Sequence, residues 1–152
     1  MINTVKIGET VEFGSGMLGL IAGPCVIEGR DQCLRIAVEV ASITRELGLP
    51  FVFKASFDKA NRTSIDSYRG PGLEAGLEIL AEVRDTVRIP VTTDIHAVEQ
   101  VEAVANTVDM IQIPAFLSRQ TDLLLAAAES CLLYTSDAAD DTPCVDLGGR
   151  RI

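Results

Sequence analysis

Four short apolar runs, each followed by a stretch with helical spacing, constrain this chain more than any other feature. The runs cover 18–22, 51–55, 89–94 and 110–113. Between the first two, Leu34, Ile36, Ala37, Val40, Ala41 and Ile43 recur near helical spacing, with Asp31 as the expected N-cap and Gly48 as the expected stop. Leu73, Leu77, Leu80 and Val83 mark one face of a second helix over 73–86. Shorter helices are expected over 97–106 and over 119–128, the latter capped near Ser118. Ahead of all this, 4–7 and 10–13 flank Gly8-Glu9 as a hairpin would. Alternating short apolar strands and helices make a parallel sheet covered by helices. A doubly wound sheet and a (β/α)8 barrel both satisfy that grammar. No Gly-x-Gly-x-x-Gly follows the first run, which weakens the dinucleotide-binding version of the former. Polar residues gather at the C-terminal end of every run: Cys25 and Glu28, Lys54 and Ser56, Asp94 and His96, then Gln112. A barrel brings such ends to one mouth, so the expectation is an α/β fold of the (β/α)8 barrel type.

The chain has 152 residues, 47% hydrophobic and 23% charged, which suits one packed domain. Its formal net charge of -9 disfavours nucleic acid or an anionic membrane as the main partner. No apolar run is long enough to span a bilayer, and residues 1–19 lack the pattern of a signal peptide. Cys25, Cys33, Cys131 and Cys144 form neither a close zinc pair nor a dense disulfide pattern. A cytoplasmic location is the expectation.

On this acidic chain one segment is locally cationic. Phe53-Lys54-Ala55-Ser56-Phe57-Asp58-Lys59-Ala60-Asn61-Arg62-Thr63-Ser64 carries two lysines, an arginine, an asparagine and three hydroxyls directly after an apolar run. Lysine offers a point charge to phosphate and arginine a planar fork. The segment is therefore either a solvated loop with incidental charges or a site for small anions.

After Ser130 the character changes. Residues 131–152 are rich in Asp, Ala and Gly, without a clear period. No apolar strand stands where a fifth is due, apart from the brief Cys131-Leu132-Leu133. The segment resembles translated adapter sequence, so residues 1–130 are expected to be the protein's own domain and 131–152 a non-native tail.

Several long words in order carry a resemblance. They are Ile21-Ala22-Gly23-Pro24-Cys25, Phe53 to Arg62, Ser67-Tyr68-Arg69-Gly70-Pro71-Gly72, Thr93-Asp94-Ile95-His96 and Ile111-Gln112-Ile113-Pro114-Ala115-Phe116-Leu117 with Arg119-Gln120-Thr121-Asp122-Leu123. Through them the chain resembles the 3-deoxy-D-manno-octulosonate 8-phosphate (KDO-8-phosphate) synthases, transferases of lipopolysaccharide biosynthesis. The resemblance implies a (β/α)8 barrel, present here as about its first half. It implies condensation of phosphoenolpyruvate with D-arabinose 5-phosphate and release of phosphate. The enol carbon would attack the aldehyde, water the neighbouring carbon, and the resulting phosphohemiketal would lose phosphate. In these enzymes Lys54, Ser56 and Lys59 match phosphoenolpyruvate contacts, and Gln112 and Ala115 line the same pocket. Asn61, Arg62, Thr63 and Ser64 match the segment that holds the sugar phosphate. The implied catalytic residues are Lys59, Asn61 and Asp94, although a structural carboxylate is the alternative for Asp94.

Cys25 matches the metal-dependent class of the family, whose thiolate binds divalent Zn, Fe or Mn; a plain thiol is the alternative. The other family ligands, a His, a Glu and an Asp, come from later strands, and His96 is expected at the site's edge. No organic cofactor is implied. Full-length homologues are commonly tetramers. Two alternatives remain: a heptulosonate synthase using erythrose 4-phosphate, whose Lys-Pro-Arg-Thr differs from Lys59-Ala60-Asn61-Arg62, and a non-catalytic anion-binding half barrel. The chain as written is expected to lack synthase activity.

Overall fold

Strand pairing follows the apolar runs. The computed structural model describes residues 4–60, 62, 64–130 and 132–136. β1 (Val5–Ile7) and β2 (Val11–Phe13) form the expected antiparallel hairpin. β3 (Leu20–Ala22), α1 (Arg30–Leu47), β4 (Phe51–Lys54), α2 (Leu73–Val87), β5 (Val91–Asp94), α3 (Val101–Ala105), β6 (Met110–Ile113), α4 (Thr121–Glu129) and β7 (Leu133–Ser136) follow. The five later strands lie side by side in chain order, and every neighbouring pair is parallel. A doubly wound sheet must reverse its strand order at some point. This one never does, so it is a singly wound α/β sheet: about half of a (β/α)8 barrel, preceded by the short hairpin.

Alternation along the strands separates two apolar layers. On β4 and its continuation, Phe51, Phe53, Ala55 and Phe57 join Ala37 and Ala41 of α1 and Leu77, Leu80 and Val83 of α2 in the outer core. Val91, Ile95, Ile111 and Ile113 do the same on β5 and β6. The intervening residues face the barrel interior. Val52 and Met110 pack there against Ile7, Val11 and Phe13, so the hairpin closes the lower end. Because side chains alternate with a period of two, Lys54 and Ser56 follow Val52 on the interior face, Asp94 follows Thr92, and Gln112 follows Met110. The register agrees: Lys54 pairs with Thr92, Thr92 with Met110, and Asp94 with Gln112.

The helix starts differ from those expected. α1 begins after Gly29, which is extended and offers no side-chain cap; Asp31 lies inside the first turn, where its charge complements the helix dipole. The stop at Gly48 is as expected. Its φ is 65°, its N–H donates to Arg45 O at 3.2 Å, and Leu49 N–H reaches back to Thr44 O at 2.8 Å, a Schellman closure. The buried face of α1 is Cys33, Ala37, Ala41 and Thr44, while Ile43 is exposed. The helix expected over 97–106 divides into a 3-10 turn, Val98–Gln100, and α3. α4 starts at Thr121 with Gln120 as its N-cap, not Ser118. The Ser118 hydroxyl instead donates to Ala115 O at 2.8 Å, closing the preceding 3-10 turn Ala115–Leu117. Past the expected boundary at 130, β7 pairs with β6 from Met110↔Leu133 to Ile113↔Ser136, so a fifth strand does form where the sequence offered only three apolar residues. Cys131 and residues 137–152 lie outside the described residues.

Candidate active site

The polar strand ends meet above the apolar floor. β3 and β4 approach so closely at Gly23 that a Cβ there would stand 2.0 Å from Lys54 O. Their pairing resumes beyond the strands, where Val26 bridges Ser56 and Ile27 N–H donates to Ser56 O at 2.9 Å. This contact fixes the backbone on both sides of Lys54. The Lys54 ammonium donates to Ser56 Oγ at 3.3 Å, as expected for residues i and i+2 on one face of an extended chain.

The cationic loop is clamped at its base. Lys59 N–H donates to Arg69 O at 2.7 Å, and Gly72 N–H to Phe57 O at 3.1 Å. Arg69 grips both carboxylate oxygens of Asp58, at 2.8 and 2.6 Å. Tyr68 OH donates to Ile27 O at 3.0 Å and ties the returning arm to the loop after β3. Gly70 has φ 127°, and a Cβ on it would meet Phe57 O at 2.2 Å, so only glycine fits this crossing. Arg62 and Ser64 lie in the exposed outer part. Arg62 Nε donates to Tyr68 O at 3.2 Å, and Ser64 Oγ accepts from Asp66 N–H at 3.3 Å. The Arg69–Asp58 pair is largely exposed, and such pairs add little global stability. Arg69→Ala is therefore expected to leave the thermal midpoint nearly unchanged while speeding tryptic cleavage after Arg62 several-fold. Limited proteolysis beside a melting curve checks this, and equal cleavage rates would count against the clamp.

Clamping the loop carries Lys59 over the end of β5. Its ammonium stands 3.6 Å from Asp94 Oδ2, and His96 Nε2 lies 3.2 Å from the same oxygen. The Asp94 side chain is 5% exposed. His96 packs edge-on to Phe57, with ring centroids 5.7 Å apart, and Gln100 Oε1 accepts its backbone N–H at 2.7 Å. Burial alone would raise the Asp94 carboxyl. The His96 hydrogen bond and the charges of Lys54 and Lys59 more than reverse this and hold it well below the usual carboxylate range. Burial depresses the Lys54 ammonium; Asp94 opposes that depression and Lys59 adds to it. Among the described residues, Asp94 Oδ1 and His96 Nδ1 are buried without a hydrogen-bond partner.

The geometry thus brings Lys54, Ser56, Lys59, Asp94 and His96 together, with buried Gln112 in register with Asp94 and Ala115 in the turn after β6. Asn61 and Thr63 lie outside the described residues. His96, expected at the site's edge, stands 3.2 Å from Asp94 Oδ2. The signal for it was present: it stands two residues past Asp94, on the same face.

The two described thiols differ. Cys33 is buried in the outer core, and desolvation, with help from Glu28, pushes it up to about 11. Cys25 is exposed after β3 and close enough to Lys54 to act on its charge. Among the described residues no three His, Cys, Asp or Glu side chains group as metal ligands. Cys25 would give at most one donor, so these residues by themselves do not fit a metal site. No helix among them is long and apolar enough to cross a membrane.

The DAHP synthetase I family model matches residues 3–133. Among curated relatives, the 2-dehydro-3-deoxyphosphooctonate aldolase of Syntrophotalea carbinolica is 55% identical over 130 residues, covering 86% of this chain and 47% of that protein. Its namesake from Desulfatibacillum aliphaticivorans is 55% identical over 131 residues, covering 86% and 48%. The one from a Synechococcus species is 57% identical over 124 residues, covering 81% and 44%. The chain spans about half the length of the curated relatives it matches. With singly wound strands, polar strand ends at one mouth and a family match over 3–133, the chain belongs to the DAHP synthetase I family.

Proposed function

We propose that this chain carries the phosphoenolpyruvate-binding part of a KDO-8-phosphate synthase. That enzyme condenses phosphoenolpyruvate with D-arabinose 5-phosphate to give 3-deoxy-D-manno-octulosonate 8-phosphate and phosphate. The observation that carries this is the meeting of Lys54, Ser56 and Lys59 at one mouth. Phosphoenolpyruvate has a carboxylate and a phosphate, and two fixed cations with a hydroxyl match those anions. Preorganised cations at the mouth would also stabilise negative charge developing in the transition state. Asn61, Arg62, Thr63 and Ser64 would hold the sugar phosphate, with Gln112 and Ala115 lining the pocket. Lys59-Ala60-Asn61-Arg62, and the octonate name of the relatives, favour the five-carbon sugar phosphate over erythrose 4-phosphate. A divalent Zn, Fe or Mn ion would take Cys25 as one donor and needs further donors from outside the described residues. The reading implies a cytoplasmic enzyme of lipopolysaccharide precursor synthesis, tetrameric at full length.

Calorimetry and a phosphate-release assay test the reading together. The 152-residue chain is expected to bind phosphoenolpyruvate, a Lys59→Ala chain much more weakly, and neither to release phosphate. Absence of binding at millimolar phosphoenolpyruvate overturns the reading. Phosphate release with erythrose 4-phosphate but not arabinose 5-phosphate turns it into a heptulosonate synthase. Turnover with arabinose 5-phosphate refutes only the expected inactivity.

A further inference from the structure

Two lysines at one partly buried mouth pose a physical problem, because desolvation and mutual repulsion both favour losing a proton. The groups facing them come from every neighbouring element. Cys25 follows β3; Lys54, Ser56 and Lys59 follow one another on and after β4; Asp94 and His96 end β5; neutral Gln112 stands on β6. Asp94 is the carboxylate that acts on both lysines, 3.6 Å from the Lys59 ammonium and felt by Lys54. Its own position is held by His96 Nε2 at 3.2 Å, and Gln100 anchors the His96 backbone.

We propose that Asp94 is a positioning and charge-balancing residue: its buried carboxylate, held by His96, fixes Lys59 over the mouth and balances the charge of Lys54. The proposal deepens the reading of the mouth as an anion site and rests on it. A substrate with two anionic groups needs both ammonium groups charged before it arrives. Without that carboxylate Lys54 would lose its proton at a lower pH.

Direct titration of the lysine side chains by NMR, with carbon-13 at Cε, tests this without any ligand. In Asp94→Asn, Lys54 is expected to lose its proton at a pH lower by about one unit or more. Asp94→Glu should recover part of that shift. A merely structural role predicts the opposite sign: loosening the mouth admits water and returns Lys54 toward the ordinary value. Unchanged or upward midpoints therefore overturn the proposal. Should Asp94→Asn fail to fold, Lys59→Gln serves instead. Removing the neighbouring charge should then raise the Lys54 midpoint, and an unmoved midpoint overturns the proposal. Because the readout is ligand-free, failure of phosphoenolpyruvate to bind the unaltered chain counts against the proposed function, while the lysine titrations judge the charge balance by themselves.

Discussion

Gly23→Ala is expected to destabilise the chain by about 3 kcal/mol or more, near the upper end for overpacking. The added Cβ would stand 2.0 Å from Lys54 O, 3.0 Å from Lys54 C and 3.2 Å from Phe53 Cε2. Two of those atoms are backbone of Lys54 at the C-terminal end of β4, so no rotamer change relieves the clash. β3 must move away from β4, at the expense of the Val26–Ser56 bridge and the Ile27 N–H to Ser56 O bond that set Lys54 and Ser56. Urea denaturation checks this: the midpoint should fall with an unchanged slope. A midpoint shift corresponding to less than about 0.5 kcal/mol, the range of ordinary surface changes, would show that the close approach at Gly23 is not a constraint.

Lys54→Met should move stability and binding in opposite directions. Methionine keeps most of the stem and removes the charge. Burial, the largest influence, depresses the Lys54 ammonium, so the folded state disfavours its charged form. For a base with a lowered folded value, that penalty is complete at low and neutral pH. It fades as the pH rises through the folded value toward the unfolded one, about 10.4. At pH 7 the Met variant is therefore expected to unfold at higher urea than the parent chain, with the gain vanishing in strong alkali. Phosphoenolpyruvate affinity should fall by about 30-fold or more, the usual effect of removing one partner from a largely desolvated charge pair. Calorimetry and denaturation on the same preparation check both signs. A variant that is both less stable and still able to bind would place the anion elsewhere.

How much of this was legible depended on whether a feature is local. The strand Phe51–Lys54 announced itself as a short apolar run with polar residues at its end, which is a property of adjacent residues. Gly48 was readable for the same reason: a left-handed closure needs a residue without a side chain at that one position. The caps were not. Asp31 and Ser118 are suitable residue types, but Gly29 and Gln120 take the extended conformation at those starts, and the Ser118 hydroxyl is engaged behind it. β7 carries no apolar pattern of its own; its register comes from the open edge of β6. In the site, Lys54, Ser56 and Gln112 followed from position at strand ends. The pairing of Lys59 with Asp94 did not, because it depends on a loop folded back by Asp58, Arg69, Tyr68 and Gly70. That geometry has no period to read.

The hairpin has an electrostatic effect as well as a mechanical one. Ile7, Val11 and Phe13, sealed against Val52 and Met110, put weakly polarisable matter directly beneath the lysines. Such matter cannot reorient to answer a charge, so field lines from Lys54 and Lys59 leave by the open end. The whole chain carries -9, and an approaching dianion is pushed away over most of its surface. A dianion drawn to Lys54 and Lys59 against this net charge would be captured at a rate that falls as ionic strength rises.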